Sequence, residues 1–308
     1  MASTIYPTVS WMHGIALDHL ASRRTHGGLA IWHVADGDSV VPCAIPFADL
    51  AMRLRAQPLV ANSFQMACWP DQRADEEAPL PILTAAIVDP DPDHPLRFMP
   101  ADLSPVRGLV DDTLGLVRRI EAEPMRKMVE RVFLKREVAR RYWTMPAGRR
   151  HHHAFAGGLA LHSLEVAKDL EGQAALASHE RDICIAAGLL HDIGKVWAYD
   201  DEMRLTDEAK AVGHERIGLR RLHDELDLLE CEWPDGAHAM AVLLDGSTRR
   251  RPDGSLPSAL VARLKAADQR SSERERRGRN EGESWCPEPY KRIPGLRLVT
   301  AQSSAEPF

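Results

Sequence analysis

The chain has 308 residues, 44% of them hydrophobic and 27% charged, with a formal net charge of −6. This suits an ordinary globular chain of one large or two modest domains, and it excludes a generally basic nucleic-acid coat while leaving room for a local basic patch. No run approaches the ~18 apolar residues of a membrane span, and the five scattered cysteines show no C-x-x-C spacing, so a reducing, cytoplasmic setting with no membrane partner is expected.

Residues 1 to about 100 carry short apolar runs (Leu29 to Val34, Val40 to Ile45, Ile82 to Val88) broken by Gly, Pro and Asp. Such runs predict strands and turns, with one short helix at Ala48 to Arg55. Trp11, Trp32, Phe64 and Trp69 could stack on bases, but aromatics in a small β domain more often form its core. Asp89 to Pro100 reads as a proline-rich linker.

From Ser104 the periodicity becomes helical. Ser104 as N-cap and Pro105 at the first helical position start a helix through Leu109, Val110, Leu114, Val117 and Ile120. Pro124 starts another that runs to Trp143. Its seven basic residues alternate with Glu130 and Glu137, which favours a solvated face over a nucleic-acid contact. A helix from Leu159 to Leu170 carries His162. Glu165, three residues on, fits either behind His162 or as a partner of Lys168. Glu180 to His191 is an apolar helix that delivers the pair His191-Asp192. A buried Asp is costly unless it is paired or coordinates a metal. Alone, the pair would read as a helix end with Gly194 as a left-handed cap; with His162 one helix earlier, a metal site is the better account. His214 falls near a helix start. A last helix from Pro257 to about Arg270 places Asp268 on the stripe of Val261 and Leu264, and the Arg/Glu-rich residues 271–308 read as disordered.

GGLALHSLEVA followed by GLLHDIGK resembles the HD-domain metal-dependent phosphohydrolases. MPAGRRHHHAFAGGLALHSLEVA and LTDEAKAVGHERIG resemble, more narrowly, the YhaM-type 3′→5′ exoribonucleases, and the triple histidine with HSLEVA also resembles the TraI-like, MobH-type HD relaxases. The resemblance runs from about Leu109 to Asp268. With the patterns above it implies a mainly α HD-domain helical bundle over residues 102–270, preceded by a small N-terminal β-containing, possibly OB-like domain over 1–100. It implies His162, His191, Asp192 and Asp268 as metal ligands, with Asp192 bridging two ions and His214 on the second. His152 and His153 would bind the scissile phosphate or protonate the leaving oxygen, and Lys195 would contact phosphate. A His and carboxylate set suggests one or two manganese, iron or magnesium ions. The implied partner is single-stranded nucleic acid, RNA before DNA; the oligomeric state is open. Relaxase-like DNA processing and a non-catalytic HD binding module are the alternative functions.

One departure stands out. YhaM-type enzymes usually end the helix at Ala237 to Leu244 with His-His-Gly, and this chain has Leu244-Asp245-Gly246. His238 shares that helix face, but lies about 10 Å away along the axis. The second ion would therefore lack its usual ligands.

Overall fold

The computed structural model describes residues 8–18, 25–26, 29–36, 39–68, 80–87, 95–148, 153–173, 176–246 and 256–280. The chain divides into two compact units, Met1–Leu103 with Phe133–Arg140, and Ser104–Val132 with Arg141–Phe308.

The first unit contains β1 (Thr8–Leu17), β2 (Thr25–His26), β3 (Leu29–Ala35), β4 (Val40–Ala44), α1 (Ala48–Ala56), β5 (Asn62–Cys68) and β6 (Leu80–Ile87). The strand order is β1-β5-β6-β4-β3-β2, with β1 also paired to β3, so five strands close on themselves. All pairings are antiparallel except β4 with β6, where Cys43 faces Leu80 and Ala44 faces Pro81. This is a five-stranded Greek-key barrel of the OB type. Closure turns on Gly14. β1 pairs with β5 as far as Gly14 and with β3 from Ile15 onward, and a Cβ on Gly14 would sit 2.1 Å from the Ala35 carbonyl oxygen. Only a residue without a side chain lets the strand cross there.

Alternation buries Trp32 and Val34 on β3 and Phe64 and Met66 on β5, together with Leu50 and Leu54 of α1. Trp32 and Phe64 are thus core, whereas Trp11 is 58% exposed on β1; Trp69 lies outside the described residues. The expected linker is partly packed: Leu96, Phe98 and Met99 are buried around a short 3₁₀ turn at Pro95–Phe98.

The second unit contains α2 (Leu109–Arg118), most of α3 (Glu123–Phe133), α5 (Gly158–Glu171), α6 (Ser178–Leu190), α7 (Lys195–Ala198), α8 (Asp207–Val212), α9 (His214–Arg221), α10 (His223–Glu232), α11 (Pro234–Leu244) and α12 (Leu256–Asn280), with α4 (Arg136–Arg141) belonging mostly to the first. Three sequence expectations need correction. Ser104 does not start α2: its hydroxyl accepts from the Val106 amide, and left-handed Gly108 precedes the helix. The helix expected to run unbroken to Trp143 breaks after Phe133, where the Leu134 carbonyl accepts from the Leu59 amide at 2.7 Å instead of continuing the helical ladder. α12 continues to Asn280, into the segment read as disordered, and residues 281–308 lie outside the described set.

The basic residues around α3 and α4 are engaged within the protein. Arg136 donates to the Gln57 and Ala16 carbonyls, Arg141 to the Asp200 carbonyl, and Lys127 pairs with Glu123 at 2.7 Å. Buried Asp182 on α6 accepts from the Glu121 and Ala122 amides, tying α6 to the turn before α3. Among the described residues no helix is long and apolar enough to cross a membrane.

Glu130 on α3 is 6% exposed, and its ion pair with Arg126 is long at 4.0 Å. Burial pushes its carboxyl up to about 7, against the pull of Arg126, Lys127 and Arg131. The folded chain therefore holds a proton that the unfolded chain releases near 4.5, and stability falls as pH rises between these values and stays lower above them. Glu130→Gln is expected to stabilise by roughly 2 kcal/mol at pH 8 and to change little at pH 5, read as the shift in thermal midpoint at each pH.

Candidate metal centre

α5 and α6 pack side by side, and their apolar sequences bury most of their side chains, including His162 at 0% exposure in α5. α6 stops at Leu190, and the next residues form tight turns, with the Ile193 amide on Leu190 O and the Lys195 amide on Asp192 O. In a continuous helix adjacent side chains diverge by about 100°. His191 still has helical angles and bonds Ala187 O, and the tight turns after it leave His191 Nε2 and Asp192 Oδ2 3.5 Å apart.

His162 Nε2 and His191 Nε2 are 3.3 Å apart. Asp268 Oδ1, from α12, is 3.1 Å from His162 Nε2. One ligand atom from each of His162, His191 and Asp268 lies within 4.8 Å of the others, and Asp192 Oδ2 is 3.7 and 3.5 Å from the two imidazoles. The opposite ring nitrogens indicate where the protons sit. His191 Nδ1 is 2.9 Å from the Gly188 carbonyl, which can only accept. His162 Nδ1 is 3.0 Å from Ser271 Oγ, and that hydroxyl lies 2.7 Å from Glu165 Oε2. With the Ser271 hydroxyl donating to Glu165, both Nδ1 atoms are donors and both Nε2 lone pairs face two carboxylates. A cluster of acceptors without an intervening proton fits a divalent cation, with borderline nitrogen and hard oxygen donors.

Burial lowers the His162 imidazole, outweighing Asp268, so the neutral ligand form is favoured. Burial alone would raise Asp192, but Lys195, His191 and His214 hold it well below the ordinary range. Asp268 is likewise held down, chiefly by His162. Burial would raise Glu165 too, and its contacts with His153 and Ser271 overcome that.

Asp192 faces two ways. Oδ2 looks toward the two imidazoles, and Oδ1 is 3.0 Å from His214 Nε2 at the start of α9. Gly194 makes this possible. It has ordinary right-handed helical angles, not the left-handed cap of the alternative helix-end reading, but a Cβ on it would lie 1.8 Å from the His214 carbonyl oxygen.

The structure therefore gathers His162, His191, Asp192, Asp268 and His214. Lys195 is buried with its ammonium 2.6 Å from Asp192 Oδ2, so it secures that carboxylate instead of standing open for phosphate. His153 is 0% exposed, its ring 5.2 Å from that of His162 and its Nε2 3.3 Å from Glu165, so it lies behind His162 and beside Glu165. His152 lies outside the described residues. His238 is exposed on α11, while Asp245 caps that helix beside Gly246, against which Glu215 packs. Two residues escaped the sequence reading. Glu215, which follows His214 directly, lies 3.4 Å from His214 Nδ1. Ser271 stood in the supposed tail; its spacing from Leu264 and Asp268 was the available signal.

The HD domain family model matches residues 159–273, which include all five gathered residues. A 3′-5′ exoribonuclease YhaM from Oceanobacillus iheyensis is 30% identical over 203 residues, 56% of this chain and 62% of that protein. YhaM proteins from two Listeria monocytogenes strains, of serotype 4b and serovar 1/2a, are 32% identical over 93 residues, 28% of this chain and 30% of each of them. The chain thus spans less than two thirds of the length of these curated relatives. No solved structure matches it significantly.

Gly194→Ala is expected to destabilise the protein by about 1–3 kcal/mol, because the methyl must push α9 from the Asp192 turn. Gly115→Ala in α2, where an added Cβ meets nothing within 4 Å, should be neutral or stabilise by up to ~1 kcal/mol. Thermal midpoints of the two variants check the contrast.

Proposed function

Starting from the HD domain that this chain carries over residues 159–273, we propose that it is a divalent-metal-dependent phosphodiesterase acting on single-stranded nucleic acid, with 3′→5′ exoribonuclease activity as the specific reading. The observation that carries it is the convergence of two imidazole Nε2 atoms and two carboxylates at one point, with His162 and Asp192 buried and Asp268 open to solvent on one side. The names of the YhaM relatives favour RNA, and a barrel of OB type is suited to single strands.

His162, His191, Asp192 and Asp268 would hold the ion: manganese, iron or magnesium by donor type. A bound ion would supply an acidified water and neutralise charge on the phosphate. The chain's own residues do the rest. The Gly188 carbonyl keeps His191 Nε2 available. Lys195 offsets the buried charge of Asp192 and holds its Oδ2 toward the imidazoles. His214, with its side chain 29% exposed, is the gathered histidine nearest to solvent, and with Asp192 Oδ1 it would hold a second ion. Asp245 stands in place of the usual histidines, so that second position binds more weakly.

The test is a panel of RNA and DNA oligonucleotides with the 3′ or 5′ end blocked, incubated with the manganese-loaded protein alongside small nucleotides. Cleavage of single-stranded RNA that stops when the 3′ end is blocked is expected. His191→Ala should lower both metal content and rate by at least about 100-fold. A metal-loaded protein that leaves every phosphodiester and nucleotide intact would refute the enzyme reading. Cleavage of DNA or small nucleotides alone would refute the exoribonuclease one.

A further inference from the structure

We propose that Ser271 and Glu165 are positioning residues that set the tautomer of His162, so that helix α12 both supplies a ligand and prepares another. The proposal rests on the metal reading above and deepens it. α12 reaches the His162 ring at both nitrogens: Asp268 Oδ1 at Nε2, 3.1 Å, and Ser271 Oγ at Nδ1, 3.0 Å. Ser271 is 2% exposed and His162 0%, so water does not compete freely for these bonds.

The direction of the chain follows from proton count. A serine hydroxyl has one proton to donate and lone pairs to accept with. Glu165 Oε2, 2.7 Å from Ser271 Oγ, is a carboxylate oxygen and accepts that hydrogen bond. Ser271 must then accept from His162 Nδ1–H, and Nε2 is left carrying the lone pair that a metal needs. His153 Nε2 also lies 3.3 Å from the same Glu165 oxygen. The buried histidine ahead of α5 thus acquires a role the phosphate-binding expectation did not give it. One residue before Ser271, Arg270 pairs with Asp169 at 2.7 Å, fixing α12 to α5 at the level where the relay crosses.

Removing the hydroxyl reverses the balance. Without Ser271 Oγ, the best partner for a His162 proton is Asp268 Oδ1, 3.1 Å from Nε2. The ring would then adopt the Nε2–H form and place a proton on the ligand atom. Outer partners of metal-bound histidines typically govern affinity by 10–100-fold.

The experiment uses the full chain labelled with [15N]histidine, without metal and then titrated with Mn2+. His162 is assigned by its loss in His162→Gln. In the unsubstituted protein, long-range 1H–15N correlations should show His162 protonated at Nδ1. In Ser271→Ala they should show it at Nε2, with the Mn2+ dissociation constant raised about 10–100-fold and little change in the apoprotein's thermal midpoint. Glu165→Gln, whose amide can donate to Ser271 and turn the hydroxyl toward Nδ1, should give the same switch, with circular dichroism confirming the fold. An Nδ1–H tautomer and unchanged Mn2+ affinity in both variants would overturn the relay. If the unsubstituted protein binds no Mn2+, the metal reading fails by itself; a tautomer switch in Ser271→Ala would still uphold the relay, and no switch would overturn it.

Discussion

His162 and His191 meet Nε2 to Nε2 at 3.3 Å, and each ring has its other nitrogen committed, one to Ser271 and one to the Gly188 carbonyl. Such an arrangement places two acceptors against each other and against two carboxylates, one of them, Asp192, buried where water screens little. Groups gathered this way are costly unless something positive lies among them. Much of the second unit reads as the means of enforcing that meeting. α5 carries one ring, α6 delivers the other at its end, and α12 lies across both.

Asp192 is the hinge between this point and its neighbour. Its buried carboxylate is shared among Lys195, the two imidazoles and His214, and that sharing keeps it ionised despite burial. The close passage of α9 over Gly194 delivers His214, and Gly246 at the end of α11 lies against Glu215. The rim around His214 is thus more acidic than a histidine-rich one.

The first unit follows a separate logic. Its strands are short and individually unremarkable, and a closed barrel exists only because β1 changes partner at Gly14. Closure removes edges that would otherwise template aggregation. Trp32 and Phe64 illustrate the ambiguity of aromatic residues in such a domain: the pleat turns both into the core, whereas Trp11 faces outward.

Local chemistry made much of this legible. Helical periodicity marked α5, α6 and α12, broken apolar runs marked the strands, and the histidines and aspartates on apolar faces marked the centre, because a polar group there needs a partner wherever the chain goes. What tertiary structure alone decided is direction and company. The alternation around Gly14 could not reveal that the sheet closes, since that depends on the Ala35 carbonyl, distant in sequence. Nor could the triple histidine reveal that His153 is buried behind His162 while His214 stands at the rim. Ser271 looked like tail because polarity was judged along the chain; in space it sits between His162 and Glu165. Residue type and spacing determine which groups require partners; only packing brings those partners from 106 and 109 residues away, because burial is a property of the assembled helices and not of any one of them.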